Sequence, residues 1–270
     1  MSTNSWQNLP QEPRWTKQRV RWLCFRGCLF FLIIIFGTLI VNLWKSKVQT
    51  QPLQQLSFST DGSLTEAWFV NHISIPWGKE LLSIDLGKLQ KTILKISQIK
   101  TCEIQREFPN TLKIALIERT PCAKVAIAYK GQRKIFLVDE TGKLFNPVNY
   151  KRVFIRQLPT LAEIPNHLFA KGSIAGFTAV SELIAFLKNN APDVLQHAQY
   201  ISLKHFDPYL EKKWQVIDLR LRAKFTIQFP LQAMEEALKK LKAILRSLSY
   251  QQRKSLKKIN VALTHPTIEV

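Results

Sequence analysis

The residues able to do chemistry are few and scattered. Glu118 and Arg119 stand side by side at the end of an alternating run, and Asp139 precedes Gly142 by three positions. A lone Glu-Arg pair at a strand end is expected to be a surface ion pair worth under about 1 kcal/mol. Acid–base catalysis needs a second carboxylate at a useful spacing, and none recurs near Glu118. Asp139 is explained by turn geometry. His72, His167, His197, His205 and His265 lack an H-E-x-x-H word or any other metal spacing. There is no G-x-S-x-G elbow. With only 9 Gly, a glycine-rich phosphate cradle is improbable too. No catalytic residue, metal site or cofactor is therefore expected.

The four cysteines divide into two pairs. Cys24 and Cys28 lie a helical turn apart beside a long apolar run and fill space there. Cys102 and Cys122 form no C-x-x-C word, and no His/Cys cluster accompanies them. A hairpin turning at Pro109-Asn110 would place Cys102 opposite roughly residue 117, too far from Cys122 for a disulfide. Both are expected to be free.

The elements that must position these residues begin with a membrane segment. Gly27 to Trp44 is uncharged and about as long as a hydrocarbon core demands. Arg14, Lys17, Arg19, Arg21 and Arg26 precede it, against Lys45 and Lys47 soon after. That bias keeps the N-terminus in the cytoplasm and sends the remainder across. No A-x-A site follows the run, so an anchor is preferred over a cleaved signal peptide. The net charge of +20 would otherwise suggest nucleic acid. Outside the cytoplasm it reads as a solvated basic surface, with acidic headgroups or an acidic partner within its reach.

Past a polar linker at 45–52, residues 53–59 alternate weakly and Asp61-Gly62 turns the chain. Ser63 to Glu66 fits a capping box opening a helix to about His72. Asp85 can cap a second helix bearing Leu86, Leu89, Ile93 and Ile96 on one face. Ile99, Cys102 and Ile104 lead into one strand, while Leu112, Ile114 and Leu116 give another with period two. The order is strand–helix–helix–strand–strand. Further on, 136–145 reads as a hairpin around Glu140-Thr141-Gly142, and Phe177–Lys188 as a helix. Strands are expected at 213–221 and 224–230, the latter ending where Pro230 opens a long helix with a Leu231–Leu248 stripe. A final strand spans 259–270, interrupted by Pro266.

The run "LKISQIKTCEIQREFPNTLKIALIERTPCAK" resembles the POTRA domain of the FtsQ/DivIB family of bacterial cell-division proteins. Arg106, Pro109, Leu112, Ile114, Glu118, Arg119, Pro121 and Ala123 fall on the positions of the family pattern. "FLVDETGKLF" and "LPTL" are similar to the words that follow it. Two departures stand out: Arg222-Ala223-Lys224 replaces the usual Asn-Gly turn, and "INV" replaces "iDL". The resemblance implies an α+β fold with a cytoplasmic tail (1–22) and a single N-terminal transmembrane helix (23–44). It further implies a POTRA domain, β-α-α-β-β (53–122), then a mixed β domain with a long helix (123–270).

By the same resemblance the chain is a non-enzymatic, single-pass type II protein of the inner membrane at the septum, its C-terminal domain periplasmic. Its partners would be FtsB-like and FtsL-like proteins, with FtsK-, FtsW- and FtsI-like proteins as further candidates, and it would help control septal peptidoglycan synthesis. A last strand without a successor offers an open edge, so Val261, Ala262, Leu263, Thr264 and Ile268 are the expected partner-binding residues, centred on Leu263. The alternatives are a POTRA-bearing subunit of an export machine, a membrane-anchored wall enzyme, and a cytoplasmic-facing nucleic-acid binder.

Overall fold

Leu112, Ile114 and Leu116 alternate with polar residues, and a strand with that pattern needs cover on one face only. The computed structural model, which describes residues 32–40, 51–129 and 131–270, places them at the centre of a three-stranded sheet. Its strands are β1 (Gln55–Thr60), β2 (Ile99–Glu107) and β3 (Thr111–Glu118), in the order β1-β3-β2. β1 runs parallel to β3 and β2 antiparallel to it. Helices α1 (Glu66–His72) and α2 (Leu86–Ile93) cover the apolar face with Phe69, Leu89 and Ile93. Asp85 caps α2 by accepting from the Lys88 N–H at 2.9 Å, a contact worth about 1 kcal/mol. The expected capping box on α1 does not form. Thr65 is the cap, accepting from the Trp68 N–H, because Ser63 is drawn to Glu118 and Val148.

Only two residues, Arg119 and Thr120, separate β3 from the next strand. A nine-stranded mixed sheet follows, made of β4 (Pro121–Tyr129), β5 (Gln132–Asp139), β6 (Leu144–Phe145), β7 (Thr160–Ala162), β10 (Ala198–Ser202), β11 (Val216–Leu221), β12 (Thr226–Pro230), β13 (Lys258–Asn260) and β14 (Thr267–Glu269). β8 (Phe169–Ala170) and β9 (Ser173–Ile174) form a separate ribbon. The order across the sheet is β14-β13-β12-β11-β10-β7-β4-β5-β6. α3 (Arg152–Gln157) precedes β7, while α4 (Phe177–Asn190) and α5 (Pro192–His197) connect β9 to β10. α6 (Met234–Ser247) and α7 (Tyr250–Ser255) carry the chain from β12 to its parallel neighbour β13. Parallel neighbours require such crossovers, since a tight turn cannot join them.

The register lines up one apolar row across this sheet. Phe136, Val125, Leu161, Ile201, Leu219, Ile227, Ile259 and Ile268 are successive cross-strand partners. Partners point to the same face, so α4 and α6 pack over a continuous apolar band with the side chains of Phe177, Val180, Leu238 and Leu241.

Two further expectations are corrected, whereas the turn at Arg222-Ala223-Lys224 stands where it was read. The long helix opens at Met234 rather than Pro230, because Pro230 closes β12 and Ala233 is left-handed at φ 54°; Leu231 is buried outside the helix. The turn between β11 and β12 forms without glycine, with Lys224 taking φ 68° and Leu221 N–H bonding Phe225 O. The strand expected over 259–270 is instead a hairpin: β13 ends at Asn260, the chain bends through 261–266, and β14 returns antiparallel to β13. Pro266 sits just before β14, where its missing N–H costs least.

Most of the expected membrane segment (23–44), and all of the tail (1–22), lies outside the described residues. Positions 32–40 are helical with exposed apolar side chains. Among the described residues no helix is long and apolar enough to cross a membrane.

Cys102 pairs across the ladder with Leu116 and is buried; Cys122 is half-buried; both are free. Burial pushes their thiols up to about 11 and about 12 respectively, the Asp139 carboxylate adding to the second. Both are therefore protonated at neutral pH and poorly nucleophilic. A maleimide added to the native chain is expected to leave both unmodified over a period in which denatured, unreduced chain reacts fully at each. Peptide mass mapping reads the outcome, and a mass corresponding to a Cys102–Cys122 bridge would contradict it.

Candidate partner-docking site and the junction behind it

Glu118 continues the phase of Leu112, Ile114 and Leu116 and so enters the buried face of β3; it is 4% exposed. Its carboxylate meets donors rather than a cation. Oε1 accepts from Thr60 Oγ1 at 2.6 Å and from the Leu64 N–H at 2.9 Å. Oε2 accepts from the Ser63 N–H at 3.0 Å and Gln98 Nε2 at 2.6 Å. Gly62 permits this approach, because a Cβ there would fall on the carboxylate. Burial alone would raise its pKa, but the four donors prevail and hold it below its ordinary value.

Gln98 and Ser63 pass this network to the second sheet. Gln98 Oε1 accepts from the Val148 N–H at 2.9 Å, and Ser63 Oγ donates to Val148 O at 2.8 Å. The Val148 side chain packs onto the core of the first sheet. Arg119, one residue on, faces the other way. Its guanidinium donates to Asp139 Oδ2 at 2.8 Å and to Ser97 O at 3.0 Å. Glu118 and Arg119 are thus not the surface ion pair that their adjacency suggested. The turn explains only one oxygen of Asp139: Oδ1 accepts from Thr141 N–H, Thr141 Oγ1 and Lys143 N–H, while Arg119 takes the other. Burial raises the Asp139 pKa, yet these bonds outweigh it and lower the value overall. With their oxygens occupied, neither carboxylate is placed to attack or to move a proton. Among the described residues no group of three or more side chains could hold a metal ion.

The far end of the second sheet is open. Among the described residues β14 pairs with β13 only, so alternate backbone N–H and C=O groups on its outer side await a partner. Ile268, opposite Ile259, ends the apolar row and is 40% exposed. Of the expected docking residues, Leu263 and Thr264 are exposed and Ala262 half-buried in the 261–266 bend, whereas Val261 is 2% exposed and donates its N–H to Gln228 O. Val261 and Leu263 therefore do not share one face of a strand. Beside the bend, a groove lies between Val261, Leu263, Pro230, Lys213, Glu236 and Lys240. Trp214, 65% exposed, stands next to Lys213 with that ammonium 5.6 Å from its ring. Trp214 escaped sequence reading because its strand was expected to start at 213; the pair Lys212-Lys213 before it was the available signal of exposure.

Residues 52–119 match the profile of the POTRA domain, FtsQ-type. The chain is 28% identical over 120 residues to the Cell division protein FtsQ of Mycobacteroides abscessus, covering 43% of this chain and 37% of the relative. It is 24% identical over 116 residues to that of Myxococcus fulvus, covering 43% and 39%. The match to Cell division protein FtsQ of Rickettsia felis is 23% identical over 222 residues, covering 80% of this chain and 73% of the relative. The matched segments thus span under half the length of the first two relatives. The β-α-α-β-β unit is an FtsQ-type POTRA domain, and homologues named Cell division protein FtsQ extend across much of the chain.

The lowered pKa values of Glu118 and Asp139 set the acid response. A depressed carboxylate contributes stability that is present above its unfolded value, ~4, and is lost as pH falls through the folded one. Thermal unfolding of the full chain in detergent is expected to be level above pH ~5 and to fall steeply below ~4. Glu118→Gln is expected to lose about 1–3 kcal/mol at neutral pH and to flatten the acid slope. Gly62→Ala is expected to cost a similar ~1–3 kcal/mol by displacing the carboxylate. An unchanged acid slope in Glu118→Gln would contradict the assignment.

Proposed function

We propose that this chain is a bitopic divisome scaffold that binds FtsB-like and FtsL-like proteins on the periplasmic side and so helps control septal peptidoglycan synthesis. In this reading residues 1–22 are a cytoplasmic tail, 23–44 the inner-membrane anchor, 53–122 the POTRA domain and 123–270 the β domain. FtsK-, FtsW- and FtsI-like proteins are further candidate partners. Its work is binding, not turnover, and it calls for no cofactor.

The observation that carries the reading is the apolar row that ends in exposed Ile268 on an edge strand. A partner strand adding to β14 would gain main-chain bonds and extend the row by one more apolar side chain. Leu263 and the groove beside it would take a second anchor, with Ala262, Thr264 and buried Val261 shaping the bend. We centre the site on Ile268 rather than Leu263, because at this end of the sheet the open backbone edge belongs to β14 and not to the 261–266 bend.

Co-purification from membranes tests this. Ile268→Lys is expected to reduce recovery of the FtsB-like and FtsL-like partners by ~tenfold or more, since an anchor at the middle of an interface is replaced by an unpaired charge. Deleting 267–270 is expected to do the same. Leu263→Pro, outside the ladder, is expected to weaken recovery less than either. Each variant should keep its membrane location and melting temperature. Undiminished recovery with a folded Ile268→Lys chain would overturn the site.

A further inference from the structure

The opposite end of the nine-stranded sheet is open as well. β6 pairs only with Leu137 and Val138 of β5. Among the described residues, Gln132 to Phe136 therefore have a partner on the β4 side alone. Further along the hairpin, β7 covers only Lys124 and Val125 of β4. The outer part of the β4–β5 hairpin is a two-stranded ribbon whose β5 edge is about 16 Å long at the usual rise per residue.

Side chains on this edge alternate in a specific way. Arg133 and Ile135 point to one face, Lys134 and Phe136 to the other. Ile135 is 45% exposed and borders a shallow trough with Arg133, Lys124, Ala126 and Thr160. The Lys124 ammonium is occupied by Ile155 O and Arg156 O at the end of α3, which leaves Arg133 as the exposed positive charge among the residues lining the trough. On the other face Lys134 sits 5.4 Å from the Phe136 ring. Charges on an edge discourage pairing between copies of one chain, and a net charge of +20 adds to that repulsion. The same charges favour a partner of opposite sign.

We propose that the Gln132–Phe136 edge of β5 is a second docking site, which accepts an extended acidic segment of another protein as an added antiparallel strand. Directly opposed side chains define the word it reads. Two apolar residues lie against Phe136 and Ile135, followed by two acidic residues against Lys134 and Arg133. The site does not depend on the C-terminal edge. A partner could hold both ends of the sheet at once.

The test uses full-length chain in detergent and a fluorescent hexapeptide, Thr-Val-Ile-Glu-Glu-Thr, read by anisotropy. Binding is expected to weaken at least ~tenfold in the Arg133→Glu/Lys134→Glu variant, whose altered side chains are both exposed so that the fold persists. Ile268→Lys is expected to leave it unchanged. A peptide with lysines in place of the glutamates should not bind. Neither should one N-methylated at alternate backbone nitrogens, because it cannot complete the ladder. Equal binding to wild type and the charge-reversed variant, or full binding of the N-methylated peptide, would overturn the proposal. So would no binding to wild type.

Discussion

The structure depends on a buried carboxylate that no cation among the described residues neutralises. Glu118 ends the central strand of the POTRA sheet, and donors from Thr60, Ser63, Leu64 and Gln98 converge on it. Ser63, turned toward Glu118 and Val148, leaves the capping of α1 to Thr65. Through Gln98 and Ser63 the network reaches Val148, so the bonds that satisfy the carboxylate also attach the second sheet to the first. Arg119 completes the attachment on the reverse side through Asp139 and Ser97. The stretch between the sheets is only Arg119-Thr120, and hydrogen bonding on both sides leaves little freedom for a hinge.

From that fixed start the second sheet extends away through a mixture of parallel and antiparallel strand pairs. The helices α4 and α6 cover the face that carries the apolar row. They do not cover its end, so Ile268 meets solvent with the same geometry that Ile259 and Ile227 use to pack. An edge of this kind is normally blunted by shortness or charge. β14 is short, with three residues, and β5 is charged at Arg133 and Lys134. The two ends of the sheet thus present different chemistry, apolar at one and basic at the other.

Much of this could be read from the chain before any coordinates. The period-two pattern at Leu112, Ile114 and Leu116 marks β3, and Asp85 marks the start of α2; both are local signals that tertiary contacts did not override. The same pattern, carried one step further, lands on Glu118 and would have reported its burial, but a charged residue next to an arginine invites the surface reading. The capping box at Ser63–Glu66 failed because its competitor lies 55 residues away, beyond any local pattern. The last strand was misjudged because a continuous run such as Ile259-Asn260-Val261-Ala262-Leu263 reads as one extended segment. Its break is set by Val261 turning into the core and bonding Gln228 O, with Pro266 the visible sign. The sequence marks Ile268 as an apolar residue of the last strand, but the row that it ends requires the register of strands far apart in sequence.

Amide hydrogen exchange of the full chain, alone and with its co-purified membrane partners, tests most directly whether the apolar end of the sheet is where partners add. The expected result is new protection concentrated at Thr267–Glu269 in the complex, with the β3–β4 junction equally protected in both states. Unchanged exchange across Thr267–Glu269, with protection appearing on another surface, would contradict the account.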